Sequence, residues 1–120
     1  MKIRIRENSI RYRLTKSEVE AFCKTGYFAQ KTEFNTTLFC YEIKINKNIN
    51  SLQTDFANNT ITIYVPNSYT KDWATNSVVG FNNNYITPQG KTLFILVEKD
   101  FVCMDETVED QSDNYPNPNA

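Results

Sequence analysis

Lys2-Ile3-Arg4-Ile5-Arg6-Glu7-Asn8-Ser9-Ile10-Arg11-Tyr12-Arg13-Leu14 opens the chain with apolar and basic residues in alternation. Period two is the pattern of a half-buried strand, because successive side chains point to opposite faces. Glu7-Asn8 supplies a two-residue turn, so the segment reads as a hairpin. In that register Arg6 faces Ser9, Ile5 faces Ile10, Arg4 faces Arg11, Ile3 faces Tyr12 and Lys2 faces Arg13. Apolar residues then meet apolar residues on one face, which a one-residue slip would undo. The other face collects five cations: Lys2, Arg4, Arg6, Arg11 and Arg13.

A helix follows. Thr15-Lys16-Ser17-Glu18 is a capping box, with Leu14 and Val19 placed for a hydrophobic staple. Val19, Phe22 and Cys23 make an apolar stripe at helical spacing, and Gly26 ends the helix in the manner of a left-handed C-terminal residue. Further strands are expected near Tyr27–Phe34, Thr37–Ile45, Leu52–Phe56, Ile61–Val65, Val78–Ile86 and Lys91–Val97, with Asn58-Asn59 as a tight turn. Phe101–Met104 reads as an extension after a kink. A second short helix is expected from Asn67 or Ser68 through Thr75, with Tyr69 and Trp73 on its buried side. Leu93-Phe94-Ile95-Leu96-Val97, apolar at every position, reads as a central strand covered on both faces.

The element order is therefore ββα, ββ, ββα, ββ, and the halves 1–48 and 49–104 share it. No long helix is present to carry parallel crossovers. The expectation is an α+β domain (residues 1–104) built on a mostly antiparallel, strongly curved or closed sheet of about eight strands with two short helices. Residues 105–120 form an acidic tail containing Asn and Pro.

Composition narrows the chemistry. The 120 residues are 40% hydrophobic and 22% charged, with 13 bases, 14 acids and no histidine. The commonest general base and the commonest zinc ligand are thus missing. Cys23, Cys40 and Cys103 are an odd, scattered set with no C-x-x-C pair, which suits packing and a reducing cytoplasm better than disulfides or a catalytic thiolate. The N-terminus has no apolar run of signal-peptide length, and nothing approaches the ~20 apolar residues of a membrane span. No cofactor is expected.

Asn8-Ser9-Ile10-Arg11, Leu14-Thr15-Lys16-Ser17-Glu18-Val19, Asp105-Glu106-Thr107 and Asp110-Gln111-Ser112-Asp113-Asn114-Tyr115-Pro116-Asn117-Pro118 together resemble a small uncharacterised bacterial family, a domain of unknown function. The resemblance runs nearly end to end and implies no activity. It implies that the acidic tail belongs to the domain's normal form.

The cationic face poses the functional question, because like charges directly opposed on a sheet are unfavourable by roughly 0.2–1 kcal/mol per pair. Solvation, internal acids (Glu42, Glu98 or the tail's Asp105, Glu106, Glu109, Asp110 and Asp113) or an external phosphate or carboxylate could compensate them. Residues 1–24 carry seven bases and three acids, whereas residues 98–120 carry one base and seven acids. That asymmetry favours internal pairing. The leading reading is a small non-enzymatic domain, a binding module whose cationic face is paired with its own tail. The alternative is an anion- or phosphate-binding protein, extending to a phosphate-handling enzyme that uses the Arg face with a divalent metal. Triphosphate tunnel enzymes offer a loose likeness, but their run of alternating glutamates is absent. Nucleic acid is disfavoured, since Tyr12 falls on the core side and leaves no stacking platform among the arginines.

Overall fold

The structure, a computed structural model, describes residues 1–102 and 111–118. Its elements are β1 (Lys2–Arg6), β2 (Ser9–Leu14), α1 (Lys16–Thr25), β3 (Tyr27–Glu33), β4 (Leu38–Asn46), β5 (Gln53–Ala57), β6 (Thr60–Pro66), a 3-10 turn (Asn67–Tyr69), β7 (Gly80–Ile86) and β8 (Thr92–Lys99). The β1–β2 hairpin has the register expected from its alternation, from Lys2 opposite Arg13 to Arg6 opposite Ser9. Glu7 takes a positive φ of 49° in the turn. The capping box forms, with the Thr15 backbone N–H donating to Glu18 Oε1 at 2.8 Å. The other Glu18 oxygen accepts from the Met1 ammonium. Gly26 closes α1 with φ 78°, and its N–H reaches the Phe22 carbonyl.

The sheet architecture overturns the expectation of one strongly curved or closed sheet. Two separate four-stranded sheets form, ordered β1-β2-β8-β7 and β3-β4-β6-β5. Both are mixed, because β2 pairs with β8 and β4 with β6 in parallel. No helical crossover is needed. The chain leaves β4, passes the end of β6, enters as β5, and hairpins back, so the parallel partner arrives as the second arm of a hairpin. Alternation along one strand reports its buried face but carries no information about which hairpins become neighbours.

The second helix does not form beyond the 3-10 turn. Asp72 adopts a left-handed φ of 61°, which a helix cannot continue through. Thr70 and Thr75 hydroxyls instead bond local carbonyls, as short polar side chains do in turns. Tyr69 and Trp73 still share an apolar environment: Tyr69 stacks on Phe81 with ring centroids 4.5 Å apart, and Trp73 lies 5.2 Å from the same ring. No helix among the described residues is long and apolar enough to cross a membrane.

The halves are related by a pseudo-twofold exchange. Replacing β1-β2, β3-β4, β5-β6 and β7-β8 by β5-β6, β7-β8, β1-β2 and β3-β4 turns one sheet order into the other. Registers follow: Lys2↔Arg13 corresponds to Gln53↔Tyr64, Ser9↔Phe94 to Thr60↔Cys40, and Tyr27↔Lys44 to Gly80↔Glu98. The shared element order of the two halves therefore has a three-dimensional counterpart. All four hairpin turns lie at one end of the sandwich, while α1 and segment 67–79 occupy the other. The inner faces contribute Ile10, Tyr12, Leu14, Ile95 and Val97 from one sheet and Ile43, Ile61, Ile63 and Val65 from the other to a single core. Tyr12 joins the layers, donating its hydroxyl to the Ile61 carbonyl and meeting Tyr41 edge-on at 5.9 Å.

Candidate functional site

The five predicted cations lie on the first and second strands of one sheet, with Arg4 directly opposite Arg11 and Lys2 opposite Arg13. Continuing across β8 and β7 gives three outward rows: Lys2–Arg13–Glu98–Gly80, Arg4–Arg11–Leu96–Asn82 and Arg6–Ser9–Phe94–Asn84. Among the described residues, carboxylates reach the first row and its neighbour. Glu98 Oε1 accepts from Arg11 Nε at 2.7 Å and from Arg13 Nε at 3.0 Å, and Arg11 NH2 lies 2.5 Å from it. Lys2 Nζ lies 3.1 Å from the buried Asp100 Oδ2. Arg4 and Arg6 have no carboxylate partner among the described residues. They are exposed and border a depression of about 240 Å³ lined also by Ser9, Arg11, Phe94 and Leu96.

Phe94 and Leu96 are the components that strand patterning misassigns. The apolar run 93–97 is covered on one face only: Ile95 and Val97 are fully buried, while Phe94 is exposed on the arginine face. The aliphatic stems of arginine can cover such positions. Five apolar residues in succession disguise this asymmetry, although the five cations on the neighbouring strands record it.

The other predicted residues fall elsewhere. Glu42 lies on the outer face of the second sheet, accepting from Thr62 Oγ1 at 2.6 Å and Tyr27 Oη at 2.9 Å, with Lys44 Nζ at 3.4 Å. Burial opposes its ionisation, but these hydrogen bonds and Lys44 outweigh burial and hold the carboxyl below its usual range. Under the pseudo-twofold, Arg4–Arg11–Leu96 corresponds to Asp55–Thr62–Glu42, so the halves share a backbone and differ in charge. Asp113 lies at the start of α1, accepting from Ser17 Oγ at 2.6 Å and Ser17 N–H at 3.3 Å. The Ser17 and Thr15 hydrogen bonds lower its pKa. Asp105, Glu106, Glu109 and Asp110, together with Cys103 and Met104, lie outside the described residues.

Next to Asp113, Tyr115 donates its N–H to the Asp100 carbonyl at 2.8 Å and accepts from Val102 N–H at 2.6 Å. Its ring covers Lys99, whose Nζ sits 4.9 Å from the Tyr115 centroid and 5.9 Å from that of Trp73. Lys99 is 3% exposed and donates to the Asn76 carbonyl at 2.7 Å. Continued alternation from Ile95 and Val97 places it inward. Burial lowers its pKa and raises that of the nearby Cys23 thiol, the reverse of what a nucleophilic thiolate requires.

These environments predict alkaline behaviour. Burial pushes the Tyr115 phenol up to about 12 and raises Tyr12 still further. As pH rises through 10, unfolded tyrosines lose protons that the folded protein keeps, so both residues destabilise the fold at high pH. Lys99 acts oppositely: its folded amine deprotonates first, so its contribution improves as pH approaches the unfolded value. Melting temperatures recorded from pH 8 to 11 should fall more steeply above pH 10 in the wild type than in Tyr12→Phe. Parallel curves would contradict the assignment.

Among the described residues, no cluster of three or more His, Cys, Asp or Glu side chains is arranged to hold a metal. No curated protein and no solved structure matches the chain. A family of unknown function, DUF7009, matches residues 1–119. With its outward arginines and its terminal segment included in that match, the chain belongs to this family of unknown function.

Proposed function

We propose that the domain is a non-catalytic binding module that takes a phosphate- or carboxylate-bearing small molecule on the outer face of the β1-β2-β8-β7 sheet. Arg4 and Arg6 are the primary ligand groups. The observation that carries this reading is their position: both guanidinium side chains are exposed beside Phe94 and Leu96, one and two rows from that of Glu98. Guanidinium forks suit planar oxyanions, and charge-assisted hydrogen bonds are worth about 1.5–3 kcal/mol where water is partly excluded. The free thiols of Cys23 and Cys40 suit a reducing compartment, the cytoplasm.

The tail acids serve in this reading as internal competitors. Val102 and Gln111 bound an eight-residue segment, 103–110, which carries Asp105, Glu106, Glu109 and Asp110.

Calorimetric titration with pyrophosphate at low salt tests both parts. Replacing Arg4 and Arg6 together by alanine should weaken binding at least tenfold. Neutralising the four acids of segment 103–110 as Asn and Gln, which leaves the Asp113–Tyr115 contacts in place, should tighten it. Equal affinity in the arginine variant, or no heat from either the wild type or the neutralised protein, ends the proposal.

A further inference from the structure

The hairpin end of the sandwich contains a cleft of about 670 Å³, within the size range of small-molecule sites. Its walls are related by the pseudo-twofold: Ile5 corresponds to Phe56, Ile10 to Ile61, and Leu93 to Phe39, and all six line it. The cleft therefore lies on the internal axis. Ile10 and Ile61 are 6% and 8% exposed, whereas Ile5 and Phe56 are 58% and 63% exposed. This gradient describes a funnel with an apolar floor and an apolar lip. The opposite end of the sandwich is occupied by α1 and segment 67–79, so the funnel is blind.

Charge selects the occupant. Among the described residues no lysine or arginine lines the cleft, and of its two acids Asp55 pairs with Thr62 on the outer face of the sheet, which leaves Glu7 as the carboxylate of the cleft. An anion entering it would meet Glu7 without a counter-charge, while a cation would be favoured. Ser9, Thr54, Thr87 and Gln89 supply neutral hydrogen-bonding groups around the apolar walls. Phe39 and Phe56 add aromatic faces, to which ammonium groups are attracted.

We infer that this axial cleft binds a small organic cation: an apolar or aromatic body carrying an amine, its ring between the Ile5/Phe56 and Leu93/Phe39 pairs and its ammonium toward Glu7. The site is separate from the arginine face in both residues and charge.

Three probes of nearly equal shape test it by fluorescence titration: 1-naphthylmethylamine, 1-naphthylmethanol and 1-naphthoate. The amine should bind at least fivefold more tightly than the alcohol, and the carboxylate should bind most weakly. Replacing Glu7 by Gln should bring the amine within twofold of the alcohol while leaving the alcohol unchanged. Phe56→Ala, at an exposed position that the fold tolerates, should weaken the amine and the alcohol alike. Glu33→Gln, an acid outside the cleft, should change nothing, and the Arg4/Arg6 alanine variant should bind the amine as the wild type does. Naphthoate binding as tightly as the amine, absence of saturable binding by any probe, or displacement of the amine by self-association as protein concentration rises would each overturn the inference.

Discussion

Trp73→Ala should lower the unfolding free energy by about 4 kcal/mol, the usual scale for deleting a fully buried large aromatic. At roughly 3–5 °C per kcal/mol for a domain of this size, the melting temperature should fall by more than 10 °C. Trp73 is 1% exposed, packs against Phe81 and covers Lys99. Its Nε1–H donates to the Val78 carbonyl at 3.0 Å. Truncation opens a cavity, removes one cover from a buried lysine and leaves a carbonyl without its partner. Trp73→Phe, which keeps much of the volume and loses the hydrogen bond, should cost only about 1–2 kcal/mol. Equal losses in the two variants would place the energy in the hydrogen bond and would falsify the packing account.

Gly80→Ala should destabilise by about 2–3 kcal/mol, at the upper end of the range for inserting a methyl group where no space exists. A Cβ built on Gly80 meets the Val97 carbonyl oxygen and lies 2.7 Å from Glu98 Cα. Both are backbone atoms of β8 and cannot swing aside. The consequence extends beyond stability, because Gly80 pairs with Glu98, the residue that holds Arg11 and Arg13. A shift of β8 at that point loosens the carboxylate's grip and should raise pyrophosphate affinity as stability falls. Denaturant melts and calorimetry on the same preparation read the two quantities together. A variant with wild-type stability would show that β7 can yield without loss. One that is destabilised but unchanged in affinity would uncouple the strand pair from the arginine face.

Much of this architecture is local and so could be read along the chain. Alternation from Lys2 to Leu14 specifies both the hairpin register and the side on which Lys2, Arg4, Arg6, Arg11 and Arg13 stand, since shifting it by one residue would bury the cations. Thr15, Glu18 and Gly26 delimit α1 because caps act within a single turn of helix. Asp72 was opaque to that approach: a left-handed backbone at an aspartate leaves little compositional trace, and helical spacing of Tyr69 and Trp73 served equally well in successive turns.

Glu98 illustrates the boundary for the site. Its type and position make it a candidate partner, but only the parallel pairing of β8 with β2 sets it beside Arg13 and within reach of Arg11. Charge alone groups Asp113 with the other tail acids, yet the fold brings α1's first turn to it instead. The axial cleft has no signature along the chain, because each of its walls comes from a hairpin of a different quarter of the sequence. Residue pattern therefore settled the faces of β1 and β2, the limits of α1 and the clustering of charge, all governed by interactions between near neighbours. Which hairpins meet, and thus two mixed sheets with an open end in place of one closed sheet, depended on how separate apolar faces bury one another, a choice that local periodicity leaves degenerate.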